Sequence, residues 1–244
     1  HALGIEHPND NPSIPFEDDK NTKEFTLMAS AYSTDNANQY MLNQENKYTV
    51  TSTPMLYDIA ALQYLYGANN SYNIGDNNYS YNPEKPFIET LWDAGGIDTL
   101  DFSNFSKDNT INLNEGNSST IGFDVNWSMQ NNFAIAFNTI IENANGGSGQ
   151  DNITGNTYSN TIQGNGGNDE IDGKNGLDTA KYSGKFSDYS FDRSTNSIQI
   201  TDSRETNNDG IDTLKNIEYI EFTDQIVDES KVDIVKIYSG KFSD

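Results

Sequence analysis

Four consecutive nonapeptides carry the residues best suited to chemistry. They are GGSGQDNIT at 146–154, GNTYSNTIQ at 155–163, GNGGNDEID at 164–172 and GKNGLDTAK at 173–181. Each opens on glycine. The sixth position holds Asp151, Asn160, Asp169 or Asp178, and the eighth holds Ile153, Ile162, Ile171 or Ala180. The pattern fits the G-G-x-G-x-D-x-U-x signature of calcium-binding parallel β-helices, with a six-residue turn and a three-residue strand per repeat. Glycine reaches backbone angles that point carbonyl oxygens inward, and aspartate adds a carboxylate. Calcium takes six to eight hard oxygen ligands at about 2.3–2.6 Å, which carbonyls and carboxylates supply.

Strands of such a roll alternate between two sheets, so turns on one edge lie two repeats apart. Turn 146–151 is expected to stack on turn 164–169. Asp151 and Asp169 would share one ion with the carbonyls of Gly146, Ser148, Gly164 and Gly166. Turn 155–160 would stack on 173–178, where Asn160 in place of Asp leaves Asp178 to hold a weaker site. A flexible Asn/Gly-rich linker is the alternative, and four frames in register argue against it. Upstream, WDAGGIDTLDFS at 92–103 places Asp93, the Gly95 carbonyl and Asp98 where they could face a cation. Taken alone, a solvated turn before a strand is the preferred reading there.

Composition agrees with a cation partner. The 244 residues carry 37 acidic and 14 basic side chains, a net charge of -23, and only 34% of them are hydrophobic. A phosphate backbone or an anionic membrane surface would be repelled, so no nucleic acid is expected. The absence of cysteine excludes disulfides, thiolate zinc sites and thiol catalysis. No apolar run approaches the roughly 20 residues of a membrane span.

The elements that must position these residues are short. PMLYDIAALQYLYG at 54–67 predicts a helix, with Pro54 in its first turn and Gly67 as its stop. Leu56, Ile59, Ala60, Leu62 and Leu65 should form its buried face. Residues 9–24 and 33–53 read as polar loop. From Asn69 onward, short runs such as Thr99–Phe102, Thr110–Leu113, Ala134–Phe137 and Ile140–Ile141 read as strands between Gly, Asn and Asp turns. YSGKFSD occurs at 182–188 and again at 238–244. The segment between reads as a small β module that begins again at Tyr238, so the chain is expected to stop short of a natural end. The expected fold is mainly β: a calcium-bound parallel β-roll with short-strand flanking sheets, preceded by a small helical part.

HALGIEHP (1–8), TLMASAY (26–32), PMLYDIAALQYLYGAN (54–69), WDAGGIDTLDFS, INLNEG (111–116) and IENANGGSGQD (141–151) occur in an order that resembles the serralysin family of secreted bacterial zinc metalloproteases. The family motif is similar to H-E-x-x-H-x-x-G-x-x-H, and only its second half is found here. The resemblance implies that His1 and His7 are two of three zinc ligands, with Gly4 at the turn between them. The first His and the general-base Glu have no counterpart, and Glu6 falls in the wrong half of the motif. The chain is therefore expected to be cut inside the zinc motif and to lack peptidase activity. Met28 matches the methionine under the zinc. Tyr32 lies two residues beyond the family's tyrosine position and is assigned no catalytic role.

The same resemblance implies further calcium ligands: Asn73, Gly75, Asn77, Asp93, Gly95 and Asp98 for one ion, and Gly96, Asp98, Ile140 and Glu142 for another. It implies three parts: 1–69, a remnant of the metzincin domain; 70–181, the roll with its RTX-type repeats; and 182–244, a post-repeat module. That last part fits the family loosely and looks like modules that follow calcium repeats in other one-step exported proteins. The implied setting is extracellular, after type I secretion, with Zn2+ and protein substrates belonging to the complete parent. A non-catalytic calcium module for adhesion, or for folding on export, stays open beside the protease reading.

Overall fold

The computed structural model describes residues 25–28, 49, 51–125 and 129–232. The chain falls into two units: His1–Asn77, Asn82–Gly96 and Glu115–Ile140; and Asn78–Tyr81, Ile97–Asn114 and Ile141–Asp244.

In the first unit, helix α1 spans Leu56–Tyr66. Asp58 shapes its start, because its carboxylate accepts from the Met55 N–H at 2.9 Å, the Leu27 N–H at 2.8 Å and the Thr26 hydroxyl at 2.5 Å. Pro54 stands one residue before the N-cap Met55 rather than inside the first turn, and Gly67 ends the helix at φ +83°. The expected apolar face is buried only at Leu56. Ile59, Ala60 and Leu62 are half-buried, and Leu65 is exposed beside Tyr64 and Tyr66. The difference arises because the helix is anchored at its first turn, where Met55, Leu56 and Asp58 are buried. Strands β2 (Glu89–Leu91), β5 (Ser118–Ser119) and β6 (Phe133–Ile135) form a three-stranded sheet with β6, wholly buried, at its centre.

The second unit is a roll of two sheets. One has the order β1-β3-β7-β9-β11-β15-β16, formed by Asn78–Ser80, Thr99–Asp101, Asn143–Asn145, Thr161–Gln163, Thr179–Lys181, Tyr219–Glu221 and Ile226–Asp228. The other has the order β12-β13-β14-β10-β8-β4, formed by Tyr189–Arg193, Ile198–Asp202, Ile211–Lys215, Glu170–Asp172, Asn152–Thr154 and Thr110–Asn112. Repeat strands alternate between the sheets, as the nonapeptide pattern predicts. Register keeps equivalent residues side by side: Ile111, Ile153, Ile171 and Leu214 in one sheet, and Leu100, Ala144, Ile162, Ala180 and Ile220 in the other. All nine are buried. Strands β3, β4, β7 to β11, β15 and β16 each bury only their middle residue, because successive side chains point to opposite faces. The expected strand at 140–141 is displaced to β7.

The post-repeat segment continues the same sheets. β14 pairs parallel with β10, and β15 pairs parallel with β11. β12, β13 and β14 form an antiparallel meander, and β15 and β16 form a hairpin. Tyr182, Phe186, Tyr189, Phe191 and Phe222 pack together there with ring centroids 5.1–6.1 Å apart.

Candidate metal centre

The turns that join the sheets stack into two edges, and on each edge a side-chain oxygen caps the backbone of the neighbouring turn. On the first edge the Asn109 N–H donates to Asp151 Oδ1 at 2.7 Å, Asp151 N–H to Asp169 Oδ1 at 2.8 Å, and Asp169 N–H to Asp212 Oδ1 at 2.9 Å. On the second, Asp98 N–H donates to Glu142 Oε2 at 2.8 Å, Asn160 N–H to Asp178 Oδ1 at 2.7 Å, and Asp178 N–H to Glu218 Oε2 at 2.7 Å. Asp98, Asp151, Asp169, Asp178 and Asp212 are all buried.

Burying so many carboxylates costs free energy unless each is paired. Asp169 Oδ2 and Asp178 Oδ2 are buried and accept no hydrogen bond from the described residues. Asp151 differs: Oδ2 accepts from the Gly147 N–H at 2.5 Å, and Oδ1 also accepts from Asn109 Nδ2 at 2.9 Å. Desolvation pushes the Asp169 carboxyl up to about 8, and the charges of Asp212, Asp151 and Asp209 add to the effect. Burial likewise raises Asp212 to about 7, and Asp178 to about 6 with help from Glu218 and Asp172. Asp151 is raised by burial too, against the opposing bonds from Gly147 and Asn109.

The glycines make room for this arrangement. A Cβ at Gly164 would strike the Asp169 carboxylate, and one at Gly167 (φ +127°) would strike the Gly149 carbonyl. The donors at these edges are oxygens, which suits a hard cation such as Ca2+. Among the described residues no three acidic or histidine side chains gather as a compact cage, so a cation there would draw heavily on carbonyls.

The sequence comparisons agree with this architecture. A model of the family described as "Peptidase M10 serralysin C terminal" matches residues 57–242. The chain belongs to that family. Serralysin C of Dickeya chrysanthemi is 39% identical over 172 residues, covering 62% of this chain and 33% of that protein. Serralysin of Photorhabdus luminescens is 37% identical over 180 residues, covering 64% and 34%. Metallopeptidase AprA of Pseudomonas marginalis is 37% identical over 175 residues, covering 64% and 35%. The match spans about a third of each relative's length. The serralysin C-terminal model runs on to residue 242, so it takes in the post-repeat segment that the sequence alone tied only loosely to the family.

The structure of this serralysin C-terminal chain brings Asp151 and Asp169 together on one edge and Asn160 and Asp178 on the other. Gly146 and Gly164 sit at the matching turn starts, linked through Gly146 N–H to the Gln163 carbonyl at 2.8 Å. Gly166 donates to the Gly147 carbonyl at 3.2 Å, and Ser148 N–H donates to the Phe105 carbonyl at 2.8 Å. The Asn160 side chain accepts from the Asn156 N–H at 2.8 Å and donates from Nδ2 to the Glu142 carbonyl at 3.0 Å and to Asn156 Oδ1 at 3.1 Å. Asn73, Gly75, Asn77, Asp93, Gly95, Gly96 and Ile140 belong to the first unit, and Asp98 and Glu142 to the second. Within the first unit, Asp93 is buried and its Oδ1 accepts from Gly95 N–H at 2.7 Å. Met28 is half-buried in the turn pinned by Asp58. His1, Gly4, His7, Tyr32 and the second YSGKFSD lie outside the described residues.

Three edge residues escaped the nine-residue pattern: Asn109, Asp212 and Glu218. A signal for Asp212 was present, since GIDTL occurs at 96–100 and again at 210–214, and GLDTA at 176–180 is close to it.

Proposed function

We propose that this chain is the calcium-binding β-roll region of a secreted serralysin-like zinc metalloendopeptidase, and that calcium binding is its own activity. The observation that carries the reading is the pair of buried carboxylate oxygens, Asp169 Oδ2 and Asp178 Oδ2, that have no hydrogen-bond partner among the described residues. Asp151, Asp169 and Asp212 on one edge, and Asp178 with Glu218 on the other, would hold calcium with carbonyls from turns such as Gly146, Ser148, Gly164 and Gly166. Bound calcium would supply positive charge that lets these carboxylates ionise while buried. The zinc-binding role of His1 and His7 belongs to the same reading. Peptidase activity on protein substrates is proposed for a protein that carries the whole zinc motif, in which His1 and His7 would be two of the ligands.

The charge balance gives calcium a second role. A net charge of -23 opposes compaction, and a ligand that binds only the folded form stabilises it by mass action. Extracellular modules bind calcium at about 10⁻⁴–10⁻³ M, far above the concentration inside a cell. The roll would then stay unfolded during type I export and fold outside. Far-UV circular dichroism during a calcium titration tests this, with Asp169→Ala beside the parent sequence. A rise in β-structure on adding calcium, and a higher calcium midpoint in the variant, are expected. No response in the parent sequence would remove the reading.

A further inference from the structure

Asp202, at the end of β13, and Asp209, in the turn before β14, differ from the acids of the roll edges, because each of their carboxylate oxygens accepts a hydrogen bond. Asp202 Oδ1 accepts from the Arg204 backbone N–H at 2.9 Å and from Nε at 3.0 Å. Asp202 Oδ2 accepts from Arg204 Nη2 at 2.6 Å and from the Asp209 N–H at 2.7 Å. Asp209 Oδ1 accepts from the Ser183 hydroxyl at 2.6 Å. Asp209 Oδ2 accepts from the Ser183 N–H at 2.9 Å and from the Tyr189 hydroxyl at 2.5 Å, and lies 3.1 Å from Arg204 Nη2. One guanidinium thus faces both carboxylates, and Nη2 also reaches Ser183 Oγ at 2.8 Å and Tyr189 OH at 3.0 Å.

We propose that Arg204 is a resident cation for this turn, so that the β12–β14 meander keeps its fold without calcium and presents a formed edge to the roll. A planar guanidinium suits the task, because it offers several donors in a fixed fork and stays charged at any working pH. The first YSGKFSD copy completes the site. Ser183 binds Asp209, and Gly184 leaves space where a Cβ would crowd the Tyr189 hydroxyl and the Arg204 guanidinium at 2.7–2.9 Å. Phe186 is buried in the aromatic cluster. β14 and β15, which carry Asp212 and follow Glu218, are the parallel partners of β10 and β11. A preformed meander therefore offers hydrogen-bonding edges on which the last two repeats can order when calcium arrives. The contrast with calcium-dependent repeats rests on the reading of the roll edges above.

Hydrogen exchange followed by mass spectrometry on the full chain tests the proposal, in chelator and in millimolar calcium, with Arg204→Met and Arg204→Lys as variants. In chelator, the parent sequence should keep slow exchange in β13 while β8, β9 and β10 exchange freely. Arg204→Met should speed β13 exchange in chelator about tenfold or more, as expected when the charged partner of two buried carboxylates is removed. Arg204→Lys keeps the charge without the fork and should fall between. Rapid β13 exchange in the parent sequence in chelator overturns the proposal, and that result stands even if a variant fails to fold. Unchanged β13 protection in Arg204→Met overturns it as well. Slow exchange of β8–β10 in chelator would instead remove the calcium reading of the roll and leave the Arg204 inference standing.

Discussion

The repeats at 143–181 and the meander at 182–232 share two sheets but satisfy their acidic turns in different ways. Each roll strand has three residues and buries one side chain, followed by a six-residue turn. Little apolar area is buried there for the number of residues ordered, and ordering each residue costs about 1–2 kcal/mol. The meander uses five-residue strands and a packed aromatic cluster. Its buried Asp202 and Asp209 are bound by Arg204, Tyr189 and Ser183. Burial disfavours the charged form of Asp202, yet the bonds from Arg204 and from the Asp209 N–H outweigh it and hold the carboxyl below the usual range. At Asp169 burial wins. The difference teaches that Asp202 stays ionised while buried because the chain itself supplies a cation, a part that the proposed calcium would play at the roll edges.

The largest effect expected from breaking this contrast is at Gly167. Its φ of +127° and the nearby Gly149 carbonyl leave no room for a Cβ. Gly167→Ala should destabilise the calcium-saturated roll by about 3 kcal/mol or more, combining strain and collision, as read from thermal or urea unfolding. An unchanged midpoint would mean that the turn is not held as described.

Asp169→Asn should act with opposite signs in the two conditions. In chelator above pH 7 it should stabilise the roll, because the variant removes a carboxyl whose ionisation is costly. In calcium it should weaken binding about tenfold or more, consistent with loss of a charged partner worth roughly 1.5–3 kcal/mol. Destabilisation in both conditions would contradict the assignment.

Proton competition sharpens the same point. A carboxyl with a raised folded-state pKa favours the folded chain when it is protonated. That contribution is fully present below the unfolded value near 3.8 and is lost as pH rises through the folded values, about 6 at Asp178, about 7 at Asp212 and about 8 at Asp169. Calcium requires the ionised form, so apparent affinity should fall steadily as pH drops from 8 to 6. An affinity flat over that window would show that these groups do not exchange protons for the ion.

Smaller changes mark the limits. Asn160→Asp gives up two amide donor bonds and adds a charge. It should cost about 1 kcal/mol in chelator and tighten calcium binding on the second edge. Lys181→Ala removes an exposed ion pair to Glu221 at 3.1 Å and should change stability by less than about 1 kcal/mol.

Much of this was legible in the residues. Gly at the first position, Asp or Asn at the sixth and Ile or Ala at the eighth place the strands, the turns and the buried row, because a two-sheet roll needs that period. Asp212 and Glu218 follow a 43- and a 40-residue separation from the residues they cap, which no short repeat reveals. The Arg204 network was hidden for a similar reason, since it joins Ser183, Tyr189, Asp202 and Asp209 across a meander. At α1 the apolar spacing overstated burial, because helical periodicity names a face and does not say how much of it a neighbour covers.

The measurement that bears most directly on the central claim is isothermal calcium titration of the full chain at pH 8, compared with Asp169→Asn/Asp178→Asn. Saturable binding at about 10⁻⁴–10⁻³ M, with fewer ions bound by the double variant, is the predicted result. Equal stoichiometry and affinity in the two proteins, or no binding by the parent sequence, would contradict it.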